Sequence, residues 1–297
     1  MRIRFPQSPL RLFRLGIAGA LLCGCAAARP DLPGAEIGHL HRYTAEAGQQ
    51  LRYGTTVEMQ MSGDSALPID MAMTMEMTVA MDILSAGPEG LEGEVGIEDL
   101  SLGGDMGQAM ESVMGTGLLD VLKGTRTEFR VGPHGKIDDA LSRGEIGTDM
   151  FSNVSQLSRM IFIRWPDRPI EAGATWQDSL VMQVNQMGVD LQSKILDDFT
   201  YQGIQAVDLE GVMTEVHVVQ KKSRTVASGG GDVEEVTMDM VISGSSEATL
   251  YFDTMYGLLV GGISRDSILM DMTMTVPAEM TVSMQMDSAT TIRRIIQ

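Results

Sequence analysis

The sequence predicts a mainly β protein: antiparallel, curved, half-barrel-like sheets duplicated in two similar halves, with one or two short helices. Alternation is the first observation behind this. Met71, Met73, Met75, Met77, Val79 and Met81 fall at every second position, with Ala72, Thr74, Glu76, Thr78 and Ala80 between them. That is the period of a strand with one buried and one wet face, whereas a helix would scatter the methionines around its circumference. The second observation is recurrence. Ile268, Met270, Met272, Met274 and Val276 alternate, Pro277 interrupts, and Met280, Val282, Met284 and Met286 alternate again. Val57, Met59 and Met61, and Met238, Met240 and Ile242, repeat the device in short form. The third is a pair of similar segments, Gly48-Gln49-Gln50-Leu51 and Gly173-Ala174-Thr175-Trp176, each an Ala-Gly turn leading into an alternating strand.

Composition bounds the rest. The 297 residues suffice for one large or two smaller β domains, and 43% hydrophobic content excludes wholesale disorder. The formal net charge of −18 includes Arg2, Arg4, Arg11 and Arg14, all within the first 24 residues, which hold no acid. The remainder is therefore more acidic still, which argues against nucleic acid and against electrostatic adhesion to anionic lipid.

The chain begins with those four arginines and a short apolar core, Leu15 to Cys23, too short to span a bilayer permanently. It ends in Leu22-Cys23-Gly24-Cys25, which resembles the bacterial lipobox, with Cys23 a mild departure at its second position. The resemblance implies cleavage between Gly24 and Cys25, diacylglyceryl transfer to the Cys25 sulfur, and acylation of the new amino group. Residues 1–24 are then signal peptide, and no disulfide framework remains after processing. Two or three acyl chains give the stable anchoring that one chain does not. Ala26 after the lipid, rather than an Asp, implies the outer membrane facing the periplasm in a Gram-negative envelope. Residues 25–45 read as a lipidated tether, with His39 and His41 as exposed linker residues.

Residues 46–164 and 165–297 read as first and second β halves. In the first, Val57 to Met61, Met71 to Leu84 and Gly90 to Leu102 are strands; Thr127 to Val131 turns through Gly132-Pro133-His134-Gly135 into Lys136-Ile137. In the second, Leu180 to Val184 and Val189 to Phe199 are strands, and Ile204 to Val219 is a return strand with a slip in its alternation. Thr249 to Phe252 turns through Asp253 to Gly257 into Leu258 to Val260, a Gly-containing turn of hairpin length. Lys221 to Gly231, basic and then glycine-rich, reads as a mobile hairpin tip. Two stretches carry helical spacing: Asp105 to Lys123, and Thr148 to Ile163 with Phe151, Val154, Leu157 and Ile161. The join, Trp165-Pro166-Asp167-Arg168-Pro169-Ile170-Glu171-Ala172-Gly173-Ala174-Thr175-Trp176, resembles a motif of uncharacterised all-β bacterial lipoproteins, a resemblance loosely covering about residues 45–297. It brings no activity and no functional residues. An anchored, curved antiparallel sheet is also similar in outline to periplasmic lipoprotein carriers and mycobacterial lipid-binding lipoproteins.

Catalytic signals are poor, and the expectation is a non-enzyme without a cofactor. Ser264-Arg265-Asp266 and Ser245-Ser246 lie in no nucleophile elbow. His217 falls on the face opposite Val216 and Val218 and reads as a wet-face histidine; Asp138-Asp139 and Asp197-Asp198 read as turn residues. Gly229-Gly230-Gly231-Asp232 lacks the Lys-Ser/Thr of a phosphate loop. The methionines carry what signal there is. Met59, Met61, Met71, Met73, Met75, Met77, Met81, Met238, Met240, Met270, Met272, Met274, Met284 and Met286 are the candidate lining of an apolar interior. Val and Ile suit strands better, and Met specifies packing poorly, so the choice fits a soft surface for lipid or another hydrophobic ligand. The alternative is a structural lipoprotein with a closed Met-rich core. A further alternative is Cu(I) held by thioethers. Alternate residues on a strand lie ~6.6 Å apart and neighbouring strands ~4.8 Å, so sulfurs converge only across strands. A last alternative is a reversible methionine-sulfoxide sink, which needs exposed methionines.

Overall fold

The computed structural model describes residues 41–66, 68–105, 107–108, 123, 126–137, 161–186, 189–209, 211–233, 236–276 and 278–295. The chain divides into two units, Met1–Glu36 and Ile37–Gln297, and all the described residues belong to the second. The lipobox, His39, Asp138-Asp139 and almost all of both helical stretches lie outside the described residues.

Among the described residues, ten strands form one antiparallel sheet: β1 (Gln50–Gly63), β2 (Asp70–Gly87), β3 (Gly90–Gly103), β4 (Arg126–Val131), β5 (Thr175–Gln186), β6 (Val189–Leu209), β7 (Val212–Val233), β8 (Val236–Asp253), β9 (Leu259–Val276) and β10 (Ala278–Arg294). Their order is β4-β3-β2-β1-β10-β9-β8-β7-β6-β5. Strands that are neighbours in space are neighbours in sequence except at one seam, where β10 pairs with β1 and joins the first described strand to the last. The ends of the sheet, β4 and β5, are not hydrogen-bonded to each other among the described residues.

The alternation predicted for Met71 to Met81 holds along β2. Met73 and Met77 are buried, Met71 and Met75 half-buried, and Ala72, Thr74 and Glu76 exposed. A register shift between Thr78 and Val79 ends the strict pattern, and Ala80 is buried as well. Pro277 falls at the β9–β10 connection, where the strands turn back at Val276 and Ala278.

Two readings of the second half are corrected. Lys221 to Gly231 is no hairpin tip but part of β7, with Lys221 to Gly230 paired with β6 on one side and β8 on the other, and Gly231 paired with β8. The glycines serve closeness of backbones rather than looseness, since a Cβ on Gly229 would overlap the Asp190 carbonyl oxygen. The slip in alternation between Ile204 and Val219 is a turn: Leu209 pairs with Val212, so β6 ends and β7 begins there. Asp197 and Asp198 accordingly sit within β6, away from any turn.

One core draws on nearly the whole sheet. Phe129 of β4, Met81 and Ile83 of β2, Tyr53 of β1, Tyr201 of β6 and Phe252 of β8 belong to a single buried cluster with Phe162 and Trp165. The 161–165 segment thus lies between the two ends of the sheet. The Trp165 N–H donates to the His134 carbonyl at 2.8 Å, and Trp176 Nε1 of β5 donates to the Arg164 carbonyl at 2.7 Å. Tyr43 fastens it from the N-terminal side: its hydroxyl donates to the Ile163 carbonyl at 3.0 Å and accepts from the Ile163 N–H at 2.8 Å.

The two Ala-Gly turns are built alike. Gly48 and Gly173 have φ of 86° and 88°. The Gly48 N–H donates to the Ile83 carbonyl at 2.8 Å, and the Gly173 N–H to the Tyr201 carbonyl at 2.7 Å. In return the Ile83 N–H donates to Gln49 O and the Tyr201 N–H to Ala174 O, each at 2.9 Å. A register shift follows each partner, at Ile83/Ser85 and at Tyr201/Gly203.

Candidate functional site: the methionine face

Cross-strand partners share a face, so register decides which methionines meet. Met73 pairs with Met59 and Met71 with Met61 between β2 and β1; Met61 then pairs with Met286 across the seam. Met284 pairs with Met270, and Met280 with Met274, between β10 and β9. Met272 pairs with Met240, and Met274 with Met238, between β9 and β8. The predicted lining therefore forms one continuous band over five neighbouring strands, on the face that carries the core. Two members separate from it: Met77 and Met81 lie in the main core with Tyr53 and Val79. Within the band, Met238, Met240 and Met272 are buried in a second cluster with Val189, Leu191 and Ala227, while Met59, Met61, Met71, Met75 and Met286 are half-buried. Gly229 and Gly231 stand opposite Met240 and Met238, so the β7 positions directly across from those methionines carry no side chain.

A row of polar residues crosses the same face below the band, a feature that sequence reasoning missed. Ser288, Asp266, Ser246, Ser223, Asp197 and Asp178 stand opposite one another in turn across β10, β9, β8, β7, β6 and β5. Asp266 accepts from Ser264 Oγ at 3.1 Å and from Ser288 Oγ at 3.3 Å. Asp197 accepts from Ser223 Oγ at 2.6 Å and pairs with Lys221 Nζ at 3.1 Å; Asp178 pairs with Arg164 at 3.3 Å. A cavity of about 260 Å³ opens on this row, lined by Ser246, Ser264, Asp266, Thr290 and Lys221 together with Ala248, Leu250 and Ile292. A neighbouring one of about 210 Å³ shares Lys221 and Ile163 with it. Counting by twos from Met270 puts Ile268, Asp266 and Ser264 on the methionine face, which is the signal the sequence did hold.

The histidine readings are corrected. His41 is 6% exposed, stacked on Trp165 with ring centroids 4.2 Å apart, and so is part of the folded body. His217 is also 6% exposed, with Nδ1 2.7 Å from the Tyr201 hydroxyl and its ring 4.4 Å from His41. It is not on a wet face because both faces of β7 are covered there: Val216 and Val218 pack with Val260 on the other side. Burial pushes the Tyr43 and Tyr53 hydroxyls far above the ordinary tyrosine value. Among the described residues, no group of three or more His, Cys, Asp or Glu could hold a metal ion.

The opposite face mixes charged and apolar side chains, with Val181, Val226, Val241, Ile263 and Leu269 exposed on it. Glu58, Glu76, Lys194, Lys222, Arg224, Glu247, Arg265 and Asp287 are exposed on it, with Lys222 and Glu247 paired at 2.8 Å.

No family model and no curated protein matches this chain. Among solved structures, in-vitro folded OmpT, an outer membrane protein of Vibrio cholerae, aligns over 84% of this chain and 98% of its own, with 8% identity and a TM-score of 0.18. Its loop L8 deletion mutant aligns over 84% and 100%, with 10% identity and a TM-score of 0.17. The trimer form covers the same shares, with 8% identity and a TM-score of 0.20. Superpositions this loose carry no argument about fold or function.

Proposed function

We propose that this chain is a lipid-anchored bacterial envelope lipoprotein, acylated on Cys25 and non-enzymatic, whose methionine-lined interior binds lipid or another hydrophobic ligand. In a Gram-negative envelope it sits on the outer membrane facing the periplasm. The observation that carries the ligand reading is the half-buried band of Met59, Met61, Met71, Met75 and Met286, continuous over neighbouring strands and facing the core side. Flexible, polarizable side chains left partly uncovered on an inner face suit a variable apolar occupant. The matched hydrogen bonds at Gly48 and Gly173 support a duplicated, half-barrel-like sheet whose two halves share that interior.

A closed structural core is the second reading. The tight cluster of Met238, Met240 and Met272 with Leu191 favours it for that part of the band. Native mass spectrometry of the chain purified from a bacterial envelope separates the two. An extra mass lost on organic extraction establishes the ligand; an extra mass removed by a Cu(I) chelator establishes copper on the thioethers instead. A bare acylated polypeptide that takes up neither added lipid nor Cu(I) leaves the scaffold. The anchor has its own test: Cys25→Ala abolishes metabolic palmitate labelling and leaves the signal peptide uncleaved.

A further inference from the structure

The polar row has one carboxylate whose charge nothing in the described structure balances. Lys221 is held by Asp197 and Arg164 by Asp178. Asp266 receives two serine hydroxyls and pairs with no cation among the described residues. A carboxylate offers about four acceptor positions, so capacity remains. Asp266 lines the cavity of about 260 Å³, whose other polar walls are the hydroxyl-bearing Ser246, Ser264 and Thr290, and Lys221. Its apolar walls are Ala248, Leu250 and Ile292, at the border of the main core. In the other direction β9 runs from Asp266 through Ile268, Met270 and Met272 to Met274, with side chains on the same face. From Ile268 the same face continues across β10, β1 and β2 through the half-buried Met286, Met61 and Met71, three strand spacings or roughly 14 Å, enough for a chain of about twelve carbons.

We propose that the interior is built for an amphiphile with a cationic, ammonium-type head. The head sits on Asp266 among Ser246, Ser264 and Ser288, and the apolar chain runs past Ile268 over the half-buried Met286, Met61 and Met71. This rests on the apolar-ligand reading and adds the head group and the orientation. Charge decides the class. An ammonium supplies the hydrogen-bond donors and the positive charge that Asp266 lacks. A fatty carboxylate in the same place would set two like charges side by side, which is unfavourable. Lys221 does not reverse the sign, because its charge is cancelled by Asp197 at 3.1 Å.

The test is equilibrium dialysis of the full chain against radiolabelled dodecylamine, dodecanol and dodecanoate at neutral pH. The expected order is amine, then alcohol, then acid, with the amine at least tenfold tighter than the alcohol. Asp266→Asn brings the amine to the alcohol's affinity, and an unchanged circular-dichroism spectrum and melting temperature show that the variant is folded. If Asp266→Asn loses both probes, the wild-type ratio decides alone, and an amine-to-alcohol ratio near one overturns the proposal. Equal binding of all three probes overturns the head assignment and leaves the apolar interior standing. Binding of none overturns both readings.

Discussion

At the residue scale, space and conformation separate glycines that look alike in sequence. Gly48 and Gly135 both hold left-handed backbone, at φ 86° and 87°. Around Gly48 a Cβ would meet nothing, whereas at Gly135 it would overlap the Ile163 carbonyl oxygen and crowd the Tyr43 ring. Gly48→Ala should therefore cost about 1–3 kcal/mol from backbone strain alone, and Gly135→Ala about 2–6 kcal/mol with overpacking added. Denaturant melts of the two variants check the difference. Tyr43 and Tyr53 make a second prediction. Burial raises both hydroxyl pKa values in the folded chain. Stability from these groups is complete below their unfolded value, about 10, and falls as pH rises above it, by up to about 1.4 kcal/mol per pH unit for each. Melts across that alkaline range should lose the share of one tyrosine in Tyr43→Phe. The methionines also divide by exposure. Met255 at 76%, Met213 at 66% and Met280 at 48% should be the first oxidised by peroxide, and Met81 and Met240, both at 0%, the last. Peptide mass spectrometry reads that order directly, and oxidation of Met240 as fast as Met255 would mean that the band is open.

Among the elements, β7 departs furthest from its sequence. Lys221, Lys222 and Arg224 look like protease targets in a mobile tip, yet their backbone is paired on both sides. Limited trypsin digestion of the native chain should leave these three bonds intact until the sheet opens. Early cleavage there would contradict the strand. The 161–165 segment is the other decisive element, although it forms no strand. Trp165 is 2% exposed and packs against His41, Trp176 and Phe252, so Trp165→Ala should cost about 3–5 kcal/mol.

For the molecule, the seam between β1 and β10 governs cooperativity. Among the described residues it is the one place where the first four strands are hydrogen-bonded to the last six. Deleting residues 278–295 removes β10 and separates β1–β4 from β5–β9 in the sheet. The expected result is loss of a single cooperative unfolding transition, seen by calorimetry. A truncated chain that melts in one transition at the wild-type temperature would show that the 161–165 segment alone unites the core.

Strand identity was legible in the sequence because a strand with one wet face writes its period into the chain: the Met71–Met81 alternation marks β2, and Pro277 marks the β9–β10 turn. The face to which each methionine belongs follows from the same period. Alternation weakens where both faces are covered, and there the sequence misled. His217 lies between two clusters, and the stretch from Ile204 to Val219 conceals a turn as a slip in phase. Glycine and lysine signal a loop by propensity, but pairing on both edges of β7 overrode that preference, since backbone contact as close as Gly229 to Asp190 requires a residue without a side chain. What only the tertiary structure decided is register. The polar row, the burial of His41 against Trp165 and the joining of β1 to β10 all bring together residues far apart in the chain, and no local periodicity records which strand lies beside which.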